Sequence, residues 1–200
     1  MDAVESKYTD PFTNLGPAMT DRKSGMYPDL AVWSDMSNES PPCQKAGLAN
    51  VRFPTDIQEY NPTAQRAAFD YFSQVTHSNP ALAYSFFLFE GYSLQGVKSV
   101  PAESTAFPHR DANLLVAPVV VYEPAGEELD SEALEFGESL RKIVFEASGQ
   151  KEMYIYVNYA AGSETLQSWY GYEPWRLKKL RALKTKYDPE HRLNFYAPFA

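Results

Sequence analysis

The chain has 200 residues, a formal net charge of −8 and 44% hydrophobic residues, enough for one domain with its own core and too few for two large ones. The acidic balance excludes a nucleic-acid backbone as partner, because such binding rests on clustered Lys and Arg. No apolar run approaches the roughly 18 residues of a membrane-spanning helix, so no membrane partner is expected.

Residues 1–46 are rich in Pro, Asp, Ser and Asn, with Pro11, Pro17, Pro28, Pro41 and Pro42 interleaved with Tyr8, Phe12, Tyr27 and Trp33. Proline removes a backbone donor and biases its predecessor to extended geometry, so long helices are not expected there. The scattered aromatics predict an irregular arm packed on the core. The polar, mixed-charge start from Met1 to Asp10 is not a secretory signal. The single Cys43 gives neither a disulfide framework nor a thiolate metal site. It stands in SPPCQKAG without a neighbouring His or a clear helix start, and is read as inert. Start and lone thiol together predict an intracellular, cytoplasmic protein.

From residue 47 the pattern becomes regular. LANVRF (48–53) reads as a strand. Asn61-Pro62 supplies an N-cap and a first-turn proline for a helix whose Ala64, Ala68, Phe69, Phe72 and Val75 form the buried face. ALAYSFFLFEGY (81–92) is aromatic, bounded by Pro80 and Gly91, and predicts a strand. NLLVAPVVVYEP (113–124) is apolar enough to be central in a sheet, with Pro118 requiring a bulge or an edge on one side. Asp130 begins a second helix with Leu134, Leu140, Ile143, Val144 and Ala147 inward and Gly149 as its stop. MYIYVNYA (153–160) alternates as a strand, with Tyr154, Tyr156 and Asn158 on one face and Ile155, Val157 and Tyr159 on the other. Glu173-Pro174 starts a third helix with Leu177, Leu180 and Leu183 on one stripe, ending at Asp188-Pro189. Its basic run, Arg176 to Lys186, is read as a solvated face. The predicted fold is α+β: a mostly antiparallel sheet with helices on one face, over residues 47–200.

The tail from Tyr156 to Ala200 carries a set of ordered motifs. Tyr156, Asn158 and Tyr159 make Y-x-N-Y; Tyr170-Gly171 and Arg176-Leu177 follow; Lys184, Tyr187, Asp188 and Pro189 make K-x-x-Y-D-P; Phe195 lies near the end. This order resembles the berberine-bridge-like C-terminal segment of the vanillyl-alcohol-oxidase superfamily. STAFPHR (104–110) resembles a further element, a strand of that family's substrate domain, and the arm resembles the substrate domain of fungal members more loosely. The resemblance implies a substrate domain that would stand beside a flavin-binding domain. The chain has ten glycines, no adjacent glycine pair and no glycine-rich loop to approach a pyrophosphate. It is expected either to be a fragment or, as Met1 opening the arm favours, to have lost its redox half.

Within that frame His109 and Arg110 are expected to face a pocket, where His109 acts as acid or base. Against this stands a structural role for both. The resemblance places Tyr154, Tyr156 and Asn158 near the substrate, and phenol and amide donors can polarise a carbonyl. The bland alternative is that they cover the sheet. Phe86, Phe87, Phe89, Tyr92 and Trp169 are read first as core aromatics and second as an apolar cavity lining, with Phe87, Phe89, Tyr92 and Trp169 the substrate-contacting candidates. Glu90 is read as an exposed edge residue sooner than as a buried base. His77, His191 and Asp188 are assigned nothing, and the histidines show no metal-ligand spacing.

The leading expectation is a flavin-free cyclase of natural-product biosynthesis, closing a ring on a small apolar polyketide- or terpenoid-like substrate without a cofactor. A shaped pocket lowers the entropy cost of a cycloaddition, with Tyr156, Asn158, His109 or Arg110 as activating donors. The alternatives are an FAD-dependent oxidoreductase whose flavin half lies elsewhere, and a non-catalytic binding pseudoenzyme. Exposed apolar surface predicts a homodimer or a rearranged arm.

Overall fold

The computed structural model describes residues 6–17, 19, 23–34, 36–40, 44 and 46–199, in two units, Met1–Ala46 and Gly47–Ala200. Cys43 and the Pro41-Pro42 pair lie outside the described residues. Among the described residues of the first unit are two short helices, α1 (Ser6–Thr13) and α2 (Asp29–Trp33). Such short pieces fit the proline density of this stretch.

In the second unit the order is β1 (Ala49–Arg52), β2 (Thr55–Ile57), α3 (Pro62–Ser78), β3 (Phe86–Glu90), α4 (Gln95–Lys98), β4 (Leu114–Tyr122), α5 (Glu127–Glu146), α6 (Leu166–Tyr170) and α7 (Pro174–Tyr187). Strand β4 is the axis of a four-stranded sheet and is antiparallel to its partners, β1 and β2 along one side and β3 along the other. The fold is α+β, as the sequence predicts. Pro118 explains why β1 and β2 are separate strands. Arg52 pairs with Val119 and Thr55 with Val116 in one continuous register. Between them Phe53 N–H donates to the Pro118 carbonyl, and the proline has no N–H to return the bond.

Helices α3 and α5 cover one face. Their Ala68, Ala133, Phe136, Leu140 and Val144 form a core with Phe53, Ile57, Val116 and Val120. Helix α3 starts as expected, with the Asn61 side chain accepting from Thr63 N–H and Ala64 N–H ahead of Pro62. Helix α5 begins three residues before Asp130, at Glu127, because Glu127 and Glu128 also favour the positive helix start. Gly149 is left-handed, φ 71°. The predicted stripes are narrower in fact: Phe69, Leu134 and Leu183 are exposed.

Three predicted strands need correction. Residues 80–82 form a 3-10 turn capped by the Asn79 side chain, so β3 is confined to Phe86–Glu90. STAFPHR is irregular, Pro108 being unable to join a ladder. Segment 153–160 is extended only briefly: Asp56 N–H donates to the Tyr154 carbonyl and Ile155 N–H to the Ser168 carbonyl. A 3-10 turn over Val157–Tyr159 then breaks the alternation. Arg176, read as solvated, is 1% exposed. Its guanidinium donates to the carbonyls of Ala102 and Thr105 and to Glu173, tying α7 to the 101–110 segment.

Candidate functional site

Strand alternation gives the sheet two unlike faces. Phe87 and Phe89 on β3 point with Val116 toward the helices, where Phe87 meets Phe72 edge-on. Glu90, one residue on, points to the opposite face. There it shares a row with Leu115 and Asp56, since Leu115 is the register partner of both. This face, opposite α3 and α5, is the floor of a cavity of about 460 Å³, within the usual range for small-molecule sites. Beyond the row, its walls come from Tyr92, Val97, Phe107, His109, Tyr156 and Tyr159.

The Glu90 carboxylate is the polar centre of one end. Tyr159 Oη donates to Oε1 at 2.9 Å and Tyr92 Oη to Oε2 at 3.0 Å. Burial, with the hydrogen bond to Glu90 and its charge, pushes the Tyr159 phenol up to about 12, although Arg52 above its ring opposes this. Tyr159 is therefore a firm donor toward Glu90 at neutral pH. Tyr92 is likewise raised, first by its hydrogen bond to Glu90. Asn158 Nδ2 donates to Tyr156 Oη at 2.7 Å on the same wall.

At the other end His109 Nδ1 lies 2.7 Å from Asp56 Oδ2, with side chains 4% and 6% exposed. The atoms are close, but not along the direction an N–H bond requires, so both remain without an aligned partner among the described residues. Phe107, Tyr154 and Tyr156 pack around the imidazole.

Of the residues singled out from sequence, the structure brings Tyr92, His109, Tyr156 and Asn158 together around this cavity. Arg110 stands behind the wall, donating to the Val97 carbonyl and Thr105 Oγ1. Tyr154 backs His109 and stacks edge-on with Tyr172. Burial, then the charges of Glu173 and Asp111, hold its phenol above the ordinary value. Phe87 and Phe89 line a separate groove with Phe69 and Phe72. Trp169 belongs to a second small core with Ile155 and Ala160. Sequence reasoning missed Asp56 altogether; it placed Glu90 rightly on an edge strand but not in the cavity, where Glu90 is half-buried. The period of two along Phe86–Glu90 was the available signal, since it sets Glu90 apart from Phe87 and Phe89.

The cavity can hold a small apolar molecule and accept a proton from it. Among the described residues no group of three His, Cys, Asp or Glu is placed to hold a metal ion, and no helix is long and apolar enough to cross a membrane. No protein-family model matches the sequence. The FAD-linked oxidoreductase chyH of Penicillium rubens is 44% identical over 200 residues, spanning all of this chain and 40% of the relative. The same figures hold for the FAD-linked oxidoreductase chry5 of Gibberella zeae.

The chain resembles a part of fungal FAD-linked oxidoreductases.

It spans about two-fifths of the length of these relatives. A solved variant of berberine bridge enzyme superposes at TM-score 0.70 with 18% identity, over 98% of this chain and 43% of that one. The carbohydrate oxidase from Microdochium nivale does so at 0.68 with 22% identity, over 98% and 42%. These structural likenesses show the fold. An FAD pyrophosphate asks for a nest of backbone donors. The left-handed glycines among the described residues, Gly16, Gly47, Gly126, Gly149, Gly162 and Gly171, are scattered singly. The described residues do not fit the phosphates of the cofactor.

Proposed function

We propose that this chain forms the substrate-binding and proton-handling part of an FAD-linked oxidoreductase acting on a small, largely apolar molecule. The observation that supports this reading is the Glu90 carboxylate, held by two phenols in an apolar cavity, in a chain aligned along its whole length with FAD-linked oxidoreductases. Oxidation at a carbon bearing O–H or N–H gives up a hydride, which the FAD of the full-length relatives would accept, and a proton, which this chain would handle. In this reading the substrate hydroxyl gives its proton to Tyr159 Oη while Tyr159 passes its own to Glu90 Oε1. Tyr92, 70% exposed and bonded to Oε2, then leads the proton to solvent. Burial and Glu90 push the Tyr159 phenol up to about 12, so it holds its proton firmly. The proton therefore moves only as the substrate becomes more acidic along the reaction. The cofactor, in this reading, is held by the part of the relatives that this segment does not match.

The test is a titration of the purified chain with 4-nitrophenol, following the visible phenolate band against pH. Glu90 opposes a second anion nearby, so the bound probe ionises at higher pH than the free one. A charge about 5–6 Å away at an effective dielectric near 20 accounts for one to two pH units. Glu90→Gln removes most of that shift. A bound probe that titrates identically in wild type and Glu90→Gln sinks the proton-handling role.

The second reading is the flavin-free cyclase, and one observation favours it: Tyr156 and Asn158, the donors it calls on, both line the cavity. Flavin absorbance that stays with the purified protein argues against it. Ring closure of a supplied intermediate without flavin argues for it, and ligand binding with no turnover marks a binding pseudoenzyme.

A further inference from the structure

Among the described residues β3 is an edge strand, paired with β4 alone. Two hydrogen bonds fix the direction of its backbone groups: Phe53 N–H donates to the Pro118 carbonyl and Val121 N–H to Ser85 Oγ. Even-numbered residues of β4 thus turn their backbone toward β1 and β2, and odd-numbered ones toward β3. Phe86, Leu88 and Glu90 stand in register with Val119, Ala117 and Leu115 and take those bonds. The N–H and C=O groups of Phe87 and Phe89 therefore point away from the sheet, and nothing among the described residues bonds to them. The far side of the sheet differs. There β2 gives its outward Asp56 N–H to the Tyr154 carbonyl, and β1 carries the cation Arg52. Phe86–Glu90 has no Lys, Pro or bulge to blunt pairing.

The rim of this edge is aromatic. Tyr60, Phe69, Tyr84, Phe86 and Phe89 are each between 37% and 76% exposed. At about 200 Å² for each ring, closing them removes roughly 550 Å² from water. That is about two-thirds of the roughly 800 Å² that a stable interface takes from each partner. Gln65 and Arg66, beside Tyr60 and Phe69, extend the band.

We propose that β3 pairs antiparallel with β3 of a second copy of this chain, about a two-fold axis through Leu88. This register sets Phe87 opposite Phe89 of the other copy, so the outward groups close four hydrogen bonds among themselves. It also sets Phe86 of the second copy opposite Glu90 on the cavity face, as an apolar wall beside the carboxylate. The two Glu90 side chains stay four residues apart along the strands, so like charges do not face each other. The role of that wall rests on the reading of Glu90 as proton acceptor; the pairing itself does not. The net charge of −8 on each copy opposes association, so the dimer tightens as salt is added.

Sedimentation velocity on the full chain at tens of micromolar is expected to give twice the mass of one chain, since interfaces of this size bind at micromolar levels or tighter. Phe89→Lys places a charge opposite Phe87 of the second copy and is expected to weaken the dimer about tenfold or more. Two cysteine variants in a Cys43→Ser background test the register. Leu88 meets Leu88 of the other copy at a non-hydrogen-bonded position with Cα atoms about 4.5 Å apart, within reach of a disulfide. Leu88→Cys is therefore expected to cross-link under mild oxidation. Phe86→Cys, whose copies stand about 13 Å apart along the strands, is not. Where Phe89→Lys fails to fold, the cysteine variants decide. A monomer at every concentration, a dimer that survives Phe89→Lys, or cross-linking of Phe86→Cys in place of Leu88→Cys overturns the pairing. Each of these leaves the Glu90 reading to its own titration.

Discussion

Phe89 and Glu90 are adjacent in sequence and belong to different environments, and the site follows from that one-residue step. Phe89 serves the helix side of β3, while Glu90 gathers two phenols on the cavity side. The Tyr159 phenol, raised to about 12 by burial and then by Glu90, reports this arrangement. A folded pKa above the unfolded value near 10 gives stability that is present below pH 10 and lost as pH climbs toward 12. In Glu90→Gln the Tyr159 transition is expected to move down toward 10, part of the shift persisting through burial. An ultraviolet titration of wild type against this variant, with Tyr159→Phe identifying the transition, checks it. Arg176 acts at the same scale. Its removal leaves the Ala102 and Thr105 carbonyls without their donor, and Arg176→Ala is expected to cost about 2–3 kcal/mol. Urea denaturation measures the loss. The 101–110 segment that carries Phe107 and His109 loosens with it, so probe affinity falls as well.

Among elements, the packing of α5 on the sheet depends on a missing side chain. A Cβ on Gly137 would stand 2.0 Å from the Phe53 ring, and Phe53 is held in place by its bond to the Pro118 carbonyl. Alanine raises helix propensity by about 1 kcal/mol, but overpacking a core costs about 1–3 kcal/mol. Gly137→Ala is therefore expected to lower the melting temperature, the reverse of its effect on an exposed helix. A melt that rises would show that Phe53 has room to move. One turn further along α5, buried Arg141 bonds Glu164 at 2.7 Å and also Glu138. Glu164→Gln strips a buried charge of a partner and is expected to cost about 3 kcal/mol in chemical denaturation.

At the level of the whole molecule the sheet separates two jobs. One face is closed by α3 and α5 for stability, and the other is left to small polar clusters and a cavity. Acid should undo the molecule through carboxylates tied to cations. The hydrogen bond from Lys184, first, holds Asp188 down at about 2; burial opposes it, and the Leu193 and Arg192 N–H groups add to the lowering. Glu164 and Glu173 also lie below their ordinary value: burial opposes this, but backbone donors and arginines outweigh it. A depressed folded pKa gives stability present above the unfolded value, near 4, and lost as pH falls through the folded one. Stability is thus expected to decline from about pH 4 to 2, and less steeply in Asp188→Asn, as acid-titrated circular dichroism will read.

The sequence alone determined the α+β class, the central apolar strand with its troublesome proline, the Asn61 cap and the resemblance carried by Tyr156, Asn158 and Tyr159. Each of these is local, set by period, cap chemistry or motif order within a few residues. What only the tertiary structure decided is which face of the sheet is the site. Alternation separates Glu90 from Phe87 and Phe89, but no local signal says which set the helices will claim. That choice fell to α3 and α5, whose Ala68 and Phe136 close on the Phe87 side. The pairing of Asp56 and Glu90 across Leu115, and of Asp56 with His109, joins residues more than thirty positions apart in sequence. Such contacts depend on register and chain closure, and no window of sequence contains them.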